Sequence, residues 1–79
     1  MYYHLNIVGP NVRRLRNAKG LSQAKLAEKC QLIGWDITRE GIAKIEGRTR
    51  HVDDFELVYL CRVFCVKADI LLNRPTREE

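Results

Sequence analysis

At 79 residues with 46% hydrophobic content, the chain is long enough for one domain and too apolar for a disordered segment, and its sparse Gly and Pro favour helices. A formal charge of +4 and a pI near 9.2 suit a polyanionic partner. Three cysteines do not make a secreted disulfide framework, no apolar run is long enough to span a bilayer, and MYYHLNIVGP lacks a secretory n-region and h-region, so a reducing, cytoplasmic location with no membrane partner is expected.

Residues 1–7 read as a short strand or an extended arm, with Tyr2, Tyr3, Leu5 and Ile7 available to pack. Gly9-Pro10 marks a helix start, since proline fits a first turn. Val8, Val12 and Leu15 then share a face opposite Arg13, Arg14, Arg16 and Lys19, and Gly20 stops a helix predicted over about 10–19. Ser22 is the cap of a second helix, about 22–32, with Leu26, Ala27 and Cys30 facing inward. Gly34-Trp35-Asp36 forms the next turn. Thr38 caps a third helix whose inner face is Ile42 and Ile45 and whose end is Gly47. Arg48-Thr49-Arg50-His51 is a basic connection. Asp53 and Glu56 form a capping box for a fourth helix, with an apolar stripe of Leu57, Val58, Cys61 and Phe64. Val66, Ile70 and Leu71 suggest a short fifth helix, stopped by Asn73 and Pro75 before a frayed tail over 74–79.

In this order, VGPNVRRLRNAKGLSQAKLAEKC, ITREGIAKIEG and FELVYLCRVFCVKADILL resemble the helix-turn-helix domain of phage repressors, Cro proteins and related bacterial regulators. The resemblance covers about residues 8–72 of a single domain over 1–79. KGLSQAKLAEK at 19–29 and GIAKIEG at 41–47 are its most specific pieces. It implies an all-α, compact five-helix, lambda-repressor-like DNA-binding fold in which the third helix enters the major groove. One departure stands out. The connection Cys30 to Asp36 is about five residues longer than the family's tight turn, an insertion that loop entropy tolerates easily. Helix 2 is expected to run one turn further, with Trp35 covering its apolar end.

On this reading TREGIAKIEG divides into two faces. Arg39 can donate two hydrogen bonds to guanine O6 and N7, Thr38 can meet a phosphate or a thymine methyl, and Lys44 can reach a base or a phosphate. Glu40 can accept from cytosine N4 or favour the helix N-terminus through the dipole. Gly41 costs about 1 kcal/mol of helix propensity, which makes sense where a backbone approaches closely. The resemblance implies a phosphate contact for Gln23 beside the second helix's N-terminus, and an ion pair between Arg16 and Glu46 that fixes helix 3 on helix 1. Lys25, Arg48, Thr49 and Arg50 are expected phosphate contacts. Lys29, Arg62, Lys67, Arg74 and Arg77 read as solvated charges.

Neither a metal site nor a catalytic site is expected. Cys61, Cys65 and His51 match no zinc spacing, and Asp53 and Asp54 are explained by capping. No cofactor or small-molecule ligand is implied. The expected partner is double-stranded DNA, bound by a homodimer that acts as a transcriptional repressor, with the dimer surface at Ile70–Leu72 or at the Tyr2-Tyr3 arm. A second reading is a protein-interaction module, such as an antitoxin or a phage regulatory partner, using Tyr2, Tyr3, Trp35 and Tyr59 as an apolar surface.

Overall fold

Gly9–Ala18, Gln23–Leu32, Arg39–Glu46, Asp54–Phe64 and Ala68–Leu72 form helices α1 to α5 in a computed structural model that describes residues 4–73. No strand occurs among the described residues, so the expected all-helical, five-helix architecture holds. The Tyr2-Tyr3 arm and the tail from Arg74 to Glu79 lie outside the described residues.

Local chemistry sets most boundaries. Ser22 Oγ accepts from Lys25 N–H at 3.0 Å, Thr38 Oγ1 accepts from Gly41 N–H at 3.2 Å, and Asp53 with Glu56 closes a full capping box on α4. Gly20 (φ 69°) and Gly34 (φ 103°) take the left-handed turn after α1 and α2. The start of α1 is capped from a distance. Its N-cap position, Val8, has no capping side chain, but Asn6 Oδ1 accepts the Gly9 N–H at 2.8 Å.

The end of α3 departs from the sequence expectation. Gly47 keeps a right-handed conformation (φ −80°), and Arg48 takes the left-handed one (φ 63°). Thr49 N–H donates to Lys44 O at 2.9 Å and Arg48 N–H to Ile45 O at 3.0 Å, a Schellman closure with arginine where glycine is usual. That conformation costs a non-glycine residue roughly 1 kcal/mol. Arg48 offsets it by donating from Nε to Asn6 O at 2.9 Å.

The core is one cluster of Val8, Val12, Leu26, Ala27, Cys30, Trp35, Ile37, Ile42, Ile45, Leu60, Phe64 and Leu71, with Leu15 and Leu57 packed against it. Helix α3 packs on α1 and α2, and α5 packs on α1 and α4. The expected stripe of α4 is rotated: Leu60 and Phe64 are buried, while Val58 is exposed. Trp35 is also relocated. It is buried and stacks on Tyr59 with ring centroids 5.7 Å apart, so it does not cover the end of α2, where Leu32 remains 82% exposed. The expectation of Trp35 and Tyr59 as an exposed apolar surface therefore fails, because the two rings bury each other between the turn and α4.

Two asparagines tie the ends together. Asn11 is buried and donates to Leu71 O and Asn73 O, both at 2.8 Å, satisfying carbonyls at the end of α5 from within α1. Asn6 Nδ2 donates to Ile45 O at 3.2 Å and Arg50 O at 2.9 Å, and Leu5 N–H donates to Arg48 O at 3.1 Å. The described segment before α1 is thereby stitched to the loop after α3 without forming a strand.

Candidate nucleic-acid interface

Helix α3 is held along one face and free along the other. Ile42 and Ile45 are fully buried, and Glu46 is buried with them. Gly9 of α1 lies so close to the end of α3 that an added Cβ would collide with the Ile45 carbonyl oxygen. On the outer side, Thr38, Arg39, Glu40 and Lys44 are exposed.

The anchor of this helix is a carboxylate. Glu46 has no exposed side-chain surface. It accepts from Arg16 Nε at 2.6 Å and Arg16 Nη2 at 3.0 Å, from Gln23 Nε2 at 3.0 Å, and from Arg13 Nε at 3.3 Å. Burial alone pushes the Glu46 carboxyl up. The hydrogen bonds from Arg16 and Gln23, and the Arg16 charge, outweigh burial and hold it below the ordinary carboxyl value. The Arg16 guanidinium is pushed up by its bond to Glu46, and Nη1 donates to Leu21 O at 2.8 Å. One carboxylate thus joins α1, the start of α2 and the end of α3.

Gln23 takes part in this network. One N–H of its amide is committed to Glu46, which leaves the second as a donor beside the α2 N-terminus. Arg13 reaches the same Glu46 oxygen as Gln23 while its side chain stays 56% exposed. Sequence spacing puts Arg13 on the polar face of α1 and assigns it no contact; only the fold brings it beside Gln23.

The other sequence-derived positions differ in freedom. Arg39 Nη2 is 3.7 Å from Glu40 Oε2, and both side chains are largely exposed. The Thr38 hydroxyl oxygen caps the helix, so its hydrogen is left to donate. Lys25 pairs loosely with Glu28 at 3.3 Å on the surface. Thr49 Oγ1 lies 3.4 Å from Lys44 O and is exposed. The two loop arginines are more constrained than a mobile phosphate clamp would be. Arg48 is half-buried against Asn6. Arg50 Nη2 donates to Glu56 Oε2 at 2.8 Å, and its Nη1 is buried without a hydrogen-bond partner among the described residues.

Gly41 has a local explanation. A Cβ there would meet Ile37 Cγ1 at 2.6 Å, so the glycine admits the buried Ile37 side chain across the first turn of α3. The lengthened turn uses Ile37 to seat the helix it introduces, and Gln31 Nε2 holds that turn by donating to Ile37 O at 2.7 Å. Among the described residues, no helix is long and apolar enough to cross a membrane. No three His, Cys, Asp or Glu side chains there group in a way that could hold a metal ion.

Neither a protein-family model nor a curated protein matches the chain. Solved structures do. The restriction-modification controller protein C.AhdI from Aeromonas hydrophila is similar, with a TM-score of 0.70 and 28% identity over 81% of this chain and 89% of that one. The hypothetical transcription factor NHTF from Neisseria shares the fold, with a TM-score of 0.77 and 24% identity over 90% of this chain and 76% of that one. The resemblance carried by the sequence and the likeness of the folds agree: the chain has an all-helical, five-helix fold of the helix-turn-helix kind, similar to these two proteins.

Proposed function

We propose that this protein is a sequence-specific, double-stranded DNA-binding transcriptional regulator, a cytoplasmic repressor that acts as a homodimer on a pseudo-palindromic operator. One observation carries the reading. Helix α3 is fixed by buried Ile42, Ile45 and Glu46, yet leaves Thr38, Arg39, Glu40 and Lys44 exposed on the opposite face. A rigid helix with donors on its outer face is what major-groove readout requires. The similarity to a restriction-modification controller supports the same reading.

In this account Arg39 donates to guanine, with Thr38 and Lys44 beside it, and Glu40 accepts from cytosine N4. Gly41 lets the first turn of α3 sit closely on Ile37. Lys25, Arg48, Thr49 and Arg50 line the phosphate path, together with the free N–H of Gln23, and Arg13 joins them. Phosphate contacts supply most of the affinity. The dimer forms through apolar residues near the end of α5, where Ile70 and Leu72 are exposed; Phe55 and Val58 of α4 are exposed as well and extend the available apolar surface. Anisotropy titration against random duplex DNA at two salt concentrations tests the reading. Affinity that falls steeply with salt supports it, and absence of binding at low salt overturns it.

A further inference from the structure

The added length between α2 and α3 leaves a surface that DNA reading does not use. Leu32 ends α2 at 82% exposure, and Ile33 follows it, also exposed. With Val63 of α4 they line a groove of about 230 Å³ whose remaining lining residues are Lys29 of α2 and Arg62 of α4. A second groove, of about 440 Å³, shares Lys29 and Leu32 with the first but is lined also by Lys25 and Glu28, and it is no part of this surface. Neither Lys29 nor Arg62 forms an ion pair among the described residues. No carboxylate lines the first groove, and none of the residues assigned to DNA lies in it.

We propose that the end of α2 is a docking surface for a short acidic, amphipathic segment of a partner protein. An apolar side chain of that segment seats beside Leu32, Ile33 and Val63, and its carboxylates meet Lys29 and Arg62. Exposed leucine at the end of a helix is ordinary when single. A groove that joins three apolar side chains from two elements under two unpaired cations has complementary requirements on both counts. A second copy of this chain does not meet them. A two-fold contact through this groove would set Lys29 and Arg62 against their own symmetry mates. Duplex DNA would meet the cations but would leave Leu32, Ile33 and Val63 against phosphate and sugar. This surface stands apart from α3, so its fate is independent of the DNA-binding reading.

The test is a titration of the ¹⁵N-labelled full chain with a synthetic peptide in which Asp and Glu alternate with Leu and Phe. The same peptide with Lys in place of the acidic residues is the control. The acidic peptide gives saturable amide shifts centred on Lys29, Leu32, Ile33, Arg62 and Val63, and the basic peptide gives none. Leu32→Ser and the double variant Lys29→Glu with Arg62→Glu each weaken binding about tenfold. Both stay folded, since the replaced side chains face solvent; the double variant melts slightly lower, because Lys29 and Arg62 occupy the last turns of α2 and α4. The proposal is overturned by equal shifts with both peptides, or by no shifts at millimolar peptide. Shifts centred on Thr38 to Lys44 or on Leu5, Phe55 and Leu72 overturn it too, as does unchanged affinity in the variants.

Discussion

Arg16 of α1 donates twice to Glu46 of α3, at 2.6 Å from Nε and 3.0 Å from Nη2, where the carboxylate has no contact with solvent. Buried pairs of this kind are costly to break from one side, because the surviving charge is left in a dry site. Arg16→Ala and Glu46→Ala are each expected to lose about 3–5 kcal/mol in denaturant unfolding. That is a large share of the stability of a domain this small. Replacing both residues with apolar ones of similar volume costs less than either single change.

The same carboxylate sets an acid limit. Its folded value is lowered from an ordinary 4.5, so the unfolded chain binds the proton first as pH falls. The Glu46 contribution is therefore intact at neutral pH and is lost below about pH 4.5, as pH drops toward the folded value. Unfolding midpoints measured from pH 7 to pH 3 should fall for the parent. The Glu46→Gln variant should start lower and fall less steeply.

Helix-period reading located α3 within a residue at each end, because Thr38, Ile42 and Ile45 signal through local spacing alone. It did not find the buried face of α4. Apolar residues occur almost all around that helix, at Phe55, Leu57, Val58, Leu60, Cys61, Val63 and Phe64, so period cannot choose among them. Asn6 and Asn11 were silent for another reason: their partners lie 39 or more residues away, apart from the Gly9 and Arg14 contacts nearby. Of the interface, the exposed residues of α3 were legible from the cap and the two isoleucines. Arg13 beside Gln23 was not, because that neighbourhood exists only once α1, α2 and α3 meet at Glu46.

Glycine at 41 reads as a helix defect, and the position of Ile37 reverses that reading. Alanine would gain about 1 kcal/mol of propensity but must displace Ile37 Cγ1. Gly41→Ala is expected to melt no higher than the parent. In an Ile37→Ala background, which removes the colliding atoms, the same change should stabilise. A double-mutant cycle by thermal melting reads this coupling directly. Gly9→Ala is expected to cost about 1–3 kcal/mol with no such rescue, since its obstacle is backbone.

The three thiols should separate by reactivity. Cys65 is exposed, Cys61 half-buried and Cys30 buried. Burial pushes the Cys30 thiol up from 9.0 to about 11. A thiol reagent should label Cys65 first and Cys30 only on unfolding. In alkali the unfolded chain loses the Cys30 proton first, so stability falls between about pH 9 and pH 11. Cys30→Ala should flatten that slope, as measured by urea midpoints.

Loop and helix cations should differ in what they support. Lys44 is exposed, whereas Arg50 is half-buried on Glu56. Lys44→Ala is expected to weaken DNA binding with melting unchanged. Arg50→Ala should lower both DNA affinity and melting temperature, because Glu56 loses its partner.

Arg39 bears most directly on the claim that the outer face of α3 reads bases. Duplexes selected from a random pool would define the preferred site, and affinities for all single-base variants of it would then be measured for the parent and for Arg39→Ala. The account predicts a loss of about 1–3 kcal/mol on the preferred site and relaxed preference at a single base pair. An equal loss on every sequence, or a pool that yields no preferred site for the parent, would contradict it.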